Sequence, residues 1–600
     1  MAESEFGRNL VDTFQRAVRA RGADPFLWAK RQGTYRPQSW REVQDEVQLL
    51  ARCLVQLGLA PGDRVSIVAE NRPKWCIADL AVLTAGGVTV PTYTTNTTED
   101  HTYLLQHSEA RGIICAGKAV LQRLLPALRE APSVRFVILM EPVEQAGEFP
   151  VQILHWKEAL AHGRGAAPVD HAPSLRPDDL ACFIYTSGTG GRPKGVMLSH
   201  ANILANIHGV QVLLAGMELQ NEVFLSFLPL SHSYEHTAGQ FLPIAVRSEI
   251  YYAEGVETLS SNLAEVRPTI VTCVPRLFEV LRQRIMHGVE REGGLKARLF
   301  HKALELGARR YESGGRLPPH LALADLALER LVRSKVQERF GGRLKALVSG
   351  GAPLSYEVGL FFVALGLPLL QGYGQTEGSP VVSVNPPWKN KINTVGPPLD
   401  GVELHLAEDG EILVRGDLVM RGYWKDPEAT AAVLHDGWLH TGDIGELDED
   451  GYLKITDRKK DLIVNSGGDN IAPQRVEGIL LLEPEIGQAL VYGDRRPNLV
   501  ALVVPHADFV RKFAREHQRE PDVAQLAEDQ AFKEAIGTAV ARANKRLSAI
   551  ERVRRFHVMP EPFTIENGMQ TPTFKLRRHI IVKTYRELIE GLYTGHARAA

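Results

Sequence analysis

Six hundred residues with a formal net charge of −2 and 44% hydrophobic side chains exceed what a single core organises, so at least two domains are expected. That charge balance leaves no field to hold nucleic acid. The five cysteines, Cys53, Cys76, Cys115, Cys182 and Cys273, are odd in number and lack CxxC spacing, which argues against a disulfide framework or a zinc site and for a reducing, cytoplasmic setting.

The N-terminus, MAESEFGRNL, opens with acids and lacks a basic flank and an apolar core, so no secretory leader is expected. Phe6, Leu10 and Phe14 recur every four residues, a stripe that either packs on the protein's own core or touches a membrane. Up to about residue 180, Val43 to Leu57 and Trp75 to Ala85 have helical period and Arg64 to Ala69 reads as a strand, which is α/β patterning. Leu180 to Tyr185 is a buried-strand run, Val196 to Leu198 resumes apolar, and SHANILANI reads as a helix, so the loop between them joins elements of a sheet. Phe224 to His236 reads as an apolar strand closing on His232, Tyr234 and His236, either a polar strand end or a ligand-facing cluster. Glu279 to Gly341 is a charge-laced helical stretch, read as a solvated insertion.

Leu344 to Val348 then reads as a strand, SGGAPL (Ser349 to Leu354) as a tight turn, Tyr356 to Leu365 as a helix capped by Ser355, and Leu367 to Leu370 as a strand. Val358 to Leu370 is the most apolar stretch, yet it falls short of the ~20 residues that span a bilayer and contains Pro368. A strand, helix, strand unit is parallel and right-handed. SGGAPL and the following QGYGQTE would therefore both be turns outside the carboxyl ends of neighbouring strands, where α/β sheets bind nucleotides.

Thr186 to Val196, TSGTGGRPKGV, carries phosphate-handling chemistry. Gly188, Gly190 and Gly191 let backbone N–H groups approach an anion, Thr186, Ser187 and Thr189 add hydroxyls, and Lys194 adds a mobile charge. A Walker-type loop is excluded, because Pro193 stands where its glycine belongs and Gly195 where its metal-binding hydroxyl belongs. The whole string instead resembles the signature loop of the adenylate-forming (AMP-binding) superfamily of acyl-CoA synthetases, adenylation domains and luciferases. Further strings extend the resemblance. The LPLSH frame looks like the segment beside the carboxylate substrate, which makes His232 a candidate; QGYGQTE resembles the superfamily's YGxTE string. That similarity implies Tyr373, between Gly372 and Gly374, stacking on adenine, Thr376 on phosphate and Glu377 on Mg²⁺, with Gly350, Gly351 and Ala352 walling the base. Asp436 to Ile463 is similar to the fatty-acyl-CoA synthetase signature and implies Asp443 and Arg458 on the ribose. VPRLFE (Val274 to Glu279) and the helical insertion look like the long-chain branch.

The resemblance implies an α/β fold: a large N-terminal domain of stacked α/β layers plus a β-rich subdomain (1–457), a hinge (458–460) pivoting on Lys460, and a small α+β C-terminal lid (461–600). The lid would bring Lys575, in Glu566 to Arg578, to the adenylation site and Ser466, Gly467 and Gly468 to the coenzyme A side. Phe574 departs from the glycine usual before such a lysine, and Val464 replaces a lysine of aryl-acid ligases and luciferases, which weakens those readings. The implied catalytic set is Lys575, Glu377, Thr376, Lys194 and His232, and the implied reaction is ATP-dependent activation of a long-chain fatty acid to acyl-AMP followed by transfer to coenzyme A, with Mg²⁺. A ligase that loads a carrier protein shares these motifs and is the alternative. No nucleic acid and at most peripheral membrane association are expected, at the inner face of the membrane; an oligomer is left open.

Overall fold

Ser39 starts the helix Trp40–Gln56 with a capping box: its Oγ accepts from the Glu42 N–H (3.2 Å) while the Glu42 carboxylate accepts from the Ser39 N–H (2.7 Å). The helix buries Trp40, Val43, Val47, Leu50 and Leu54 along one face. The helix Pro73–Thr84 is apolar apart from Lys74 and Asp79 and is buried at every position but Lys74, against strands of two different sheets. The computed structural model describes residues 6–143, 151–169, 171–172, 174–186, 192–217, 219, 221–255, 257–459, 463–466, 469–571 and 575–594.

Among these residues, a seven-stranded sheet runs in the spatial order Gln152–His155, Phe136–Leu139, Ala110–Cys115, Arg64–Val68, Val88–Pro91, Leu180–Thr186 and Lys194–Ser199. It is parallel except for the last pair, an antiparallel hairpin. An eight-stranded sheet is parallel from Leu369–Gly374 through Ala346–Ser349, Ile270–Cys273, Val223–Ser226 and Glu249–Tyr252 to Pro25–Arg31, with antiparallel strands Val381–Val384 and Thr34–Ser39 at its edges. Glu403–Leu406, Glu411–Arg415, Leu434–His435, Trp438–Leu447 and Leu453–Arg458 form a smaller antiparallel sheet. Beyond residue 462, Ile486–Tyr492, Leu499–Pro505 and Val553–Val558 make a three-stranded sheet, whose two faces are covered by apolar clusters drawn from residues 463–592. All five cysteines are buried and unpaired.

Most of the expected elements are present, the inward-packing reading of the N-terminal stripe is borne out, and two elements differ. Phe6, Leu10 and Phe14 are at most 5% exposed, so the N-terminal stripe packs inward and is no membrane face. The strand expected over Phe224 to His236 ends at Ser226; Pro229 lies in a turn and Glu235–Phe241 is a π-helical segment. His236 in that segment is buried, with Nε2 3.0 Å from Asp79 Oδ2, which also accepts from Gln240 Nε2 (2.6 Å). Lastly, Gly372, Tyr373 and Gly374 belong to the strand Leu369–Gly374 rather than to a turn after it. The backbone of Val381–Val384 pairs so closely there that a Cβ on Gly374 would lie 1.8 Å from the Pro380 carbonyl oxygen.

Candidate active site

The phosphate-type loop closes the hairpin of Leu180–Thr186 and Lys194–Ser199, with Thr186 paired to Lys194 at its open end. Ser187, Gly188, Thr189, Gly190 and Gly191 lie outside the described residues, as do Lys460, Gly467, Gly468 and Phe574. The segment Arg421 to Trp424 adds to the returning strand: Met197 N–H donates to the Gly422 carbonyl (3.0 Å), Arg421 N–H to Met197 (3.0 Å) and Trp424 N–H to Gly195 (2.8 Å). This docking sets the Tyr423 ring 4.8 Å from Lys194 Nζ, a cation–π contact, and lets the Tyr423 hydroxyl donate to Glu377 Oε1 at 2.8 Å. Burial, then the neighbouring Glu377 charge, holds that phenol well above its ordinary range.

Thr376 is buried, and its Oγ1 is 3.0 Å from Ser233 Oγ, which ties the QGYGQTE strand to the LPLSH segment. In the same segment Tyr234 donates to the Val348 carbonyl (2.9 Å) and its ring lies under Gly350, where an added Cβ would come within 3.2 Å of it. Gly351 takes φ +82°, a left-handed conformation that glycine permits, and Ala352 is exposed in the same turn. His232 accepts the Tyr234 N–H at Nδ1 (3.2 Å), which leaves its proton on Nε2. Burial, reinforced by the Lys575 cation, pushes this imidazole down to about 3, so it is neutral at working pH.

Asp443 and Arg458 are cross-strand partners of one antiparallel pair. Arg458 Nε donates to Asp443 Oδ1 (3.0 Å) and the Tyr373 hydroxyl to Oδ2 (2.7 Å), so the buried carboxylate gathers the three residues expected around a nucleoside. Lys575 enters from the C-terminal domain. Its backbone is held in a tight loop with Thr571, whose Oγ1 accepts the Lys575 N–H (3.0 Å) and whose N–H donates back to the Lys575 carbonyl (2.8 Å). Burial lowers its amine to about 8; the Arg458 cation pushes the same way and Asp443 opposes. Lys575 thus shares one electrostatic neighbourhood with Asp443, Arg458 and His232, residues from three separate segments. Ser466 is exposed in a turn, its N–H donating to the Arg496 carbonyl (3.0 Å).

Among the described residues no cluster of three His, Cys, Asp or Glu side chains forms a metal cage. Glu377 offers one hard carboxylate, which suits an ion such as Mg²⁺ that keeps waters and takes its other ligands from substrate phosphates. A cavity of about 920 Å³ is lined by Pro229 and Ser231, just before His232, and by Phe227, Tyr252, Arg72 and Lys74. Ser233 and Tyr423 were missed by sequence reasoning. The one available signal for Tyr423 was the pair of aromatics in Arg421 to Lys425, an otherwise polar loop string.

The model of the AMP-binding enzyme family matches residues 14–424, and that of the AMP-binding enzyme C-terminal domain matches residues 460–597. A long-chain-fatty-acid–CoA ligase of Mycobacterium tuberculosis is 34% identical, over 94% of this chain and 93% of its own length. Long chain acyl-CoA synthetase 6, peroxisomal, of Arabidopsis thaliana is also 34% identical, over 94% of this chain and 82% of its own. Among solved structures, the A domain of carboxylic acid reductase from Segniliparus rugosus, in complex with AMP and a co-purified carboxylic acid, superposes with a TM-score of 0.79 at 22% identity, covering 98% of this chain and 94% of that one.

Proposed function

This chain belongs to the AMP-binding enzyme family, and from that premise we propose that it is a long-chain-fatty-acid–CoA ligase. The observation that carries the reading is the Asp443 carboxylate accepting from both Arg458 (3.0 Å) and Tyr373 (2.7 Å), in a chain related over nearly its full length to such ligases. In the first step a fatty carboxylate oxygen attacks the α-phosphorus of ATP; the acyl–phosphate bond forms as the bond to the β-phosphate breaks, and pyrophosphate leaves. In the second, the thiol sulfur of coenzyme A attacks the acyl carbonyl, the thiol proton is released, and AMP departs.

The protein supplies no covalent nucleophile. Its contribution is to orient two anions and offset their repulsion. Asp443 accepts the ribose hydroxyls while Arg458 donates to the same sugar, so the pair that now bonds to itself opens to admit the nucleoside. Tyr373 stacks on the base beside the Gly350, Gly351 and Ala352 turn. His232, neutral and protonated on Nε2, is a donor to the fatty carboxylate and not its base. Lys194, Thr186 and the loop 187–191 hold the departing phosphates, Thr376 binds phosphate, and Lys575 meets the charge that develops at the α-phosphorus. Glu377 would hold Mg²⁺, which when bound neutralises phosphate charge. The lid turns about Lys460, in the hinge 458–460, withdrawing Lys575 and bringing Ser466, Gly467 and Gly468 to the coenzyme A side.

The test is pyrophosphate release over a panel of acids, with and without coenzyme A. Each buried methylene contributes about 0.8 kcal/mol, so selectivity is graded, with a maximum expected at about C12 to C18. A maximum at acetate or an aryl acid would refute the substrate, and AMP release indifferent to coenzyme A would refute the acceptor.

A further inference from the structure

The helix Pro319–Leu328 shows an apolar side to solvent. Leu323 is 74% exposed and Leu326 66%, and Leu331, in the π-helical turn that follows, is 53% exposed. Ala322, Leu323, Leu326, Ala327, Arg330 and Leu331 follow the three- and four-residue spacing of a single helical face, and all are exposed. The opposite face is fixed to the protein. Leu328 packs with Ala303 and Leu306, and the buried Arg333 donates to the Ala364 and Ala303 carbonyls (both 2.8 Å).

Charge is sorted across the same helix. Its one carboxylate and that of the turn that follows are drawn inward or sideways: Asp325 is held by Arg310 (3.0 Å) and Arg333, and Glu329 by Arg333 (3.2 Å). The outward side carries no acid. Arg316, Arg330 and Lys335 are exposed and, among the described residues, enter no ion pair. Residues 294–339 contain ten lysines and arginines against five acids, although the whole chain is at −2.

We infer that this face docks onto an anionic lipid surface, with Leu323, Leu326 and Leu331 entering the headgroup boundary and Arg330 and its basic neighbours meeting lipid phosphates. A few exposed leucines and alanines offer on the order of a few hundred Å², short of the ~800 Å² per partner of a stable protein interface but suited to reversible attachment at a bilayer surface. The inference extends the ligase reading without depending on it.

The test is co-sedimentation of the full chain with vesicles of equimolar phosphatidylglycerol and phosphatidylcholine, or of phosphatidylcholine alone. The wild type is expected to bind the anionic vesicles preferentially, and less as salt rises. Leu323→Asp with Leu326→Asp should weaken that binding roughly tenfold or more, and Arg330→Glu several-fold. These positions are exposed, so melting temperature and turnover of a soluble C10 acid should be retained in every variant. Absence of wild-type binding, equal binding to both vesicle types, or unaltered binding by the leucine variant would each overturn the inference. So would a wild-type dimer that the leucine substitutions dissociate, which would make a second copy the occupant.

Discussion

Lys575 is where the chemistry is most exposed to test. A lysine lowered from 10.5 to about 8 is cationic below that pH and neutral above it, so its help to a developing phosphate charge fades as pH rises. For adenylation, kcat/KM should therefore fall along an alkaline limb near pH 8, and Lys575→Arg should carry that limb out of the measured range. Lys575→Ala should abolish pyrophosphate release and leave thiolysis of supplied acyl-AMP largely intact; equal loss of both would refute the division of labour. His232, already neutral, should add no limb between pH 5 and 8. Lys194 stood out by the glycines and hydroxyls of its own string, whereas Glu377, Asp443, Arg458 and Lys575 were singled out by the resemblance of their strings to the family's. Ser233 and Tyr423 were not: their contacts run to partners 143 and 46 positions away, and nothing in a serine or a tyrosine announces such a partner.

Secondary structure was read well where a period ran for several turns, as in Trp40–Gln56 and His200–Leu214, although Ser355, expected to cap the helix Tyr356–Ala364, turns its Oγ to the Glu357 carboxylate (2.7 Å) and bonds no backbone N–H of the first turn. It failed where backbone contacts decide. The glycines of QGYGQTE suggested a turn, whereas Gly374 is needed because a neighbouring strand leaves no room for a side chain. Gly374→Ala should force that pair apart, with a cost of about 1–3 kcal/mol or more and a shift of the Thr376 and Glu377 that follow. A lower melting temperature together with slower adenylation is the expected result; an unchanged enzyme would show that the strand edge yields freely. The apolar run to His236 failed for a related reason: alternation does not reveal that the strand stops at Ser226 and that the chain later winds into a π-helical segment.

At the scale of the molecule, the C-terminal domain touches the body at several points among the described residues. Arg546 pairs with Glu357, Arg276 Nη2 donates to the Gly487 carbonyl (2.9 Å), and Leu482 joins the body's apolar cluster. The ion pair is about two-fifths exposed on each side, so its worth is at most about 1 kcal/mol, a few-fold in rate. Arg546→Glu should slow pyrophosphate release by about that factor while sparing thiolysis, and adding Glu357→Arg should restore it; loss of both half-reactions alike would mean the contact merely supports the fold. Net charge was the poorest guide at this scale, since a sum near zero concealed the basic insertion. The burial of every cysteine has a practical consequence. Desolvation keeps the Cys53, Cys76, Cys115, Cys182 and Cys273 thiols protonated, so maleimide dyes should leave them alone. One cysteine introduced on the C-terminal domain and one on the body would then be the two reactive handles, and energy transfer between dyes would test, in an otherwise native chain, whether that domain swings during a turnover.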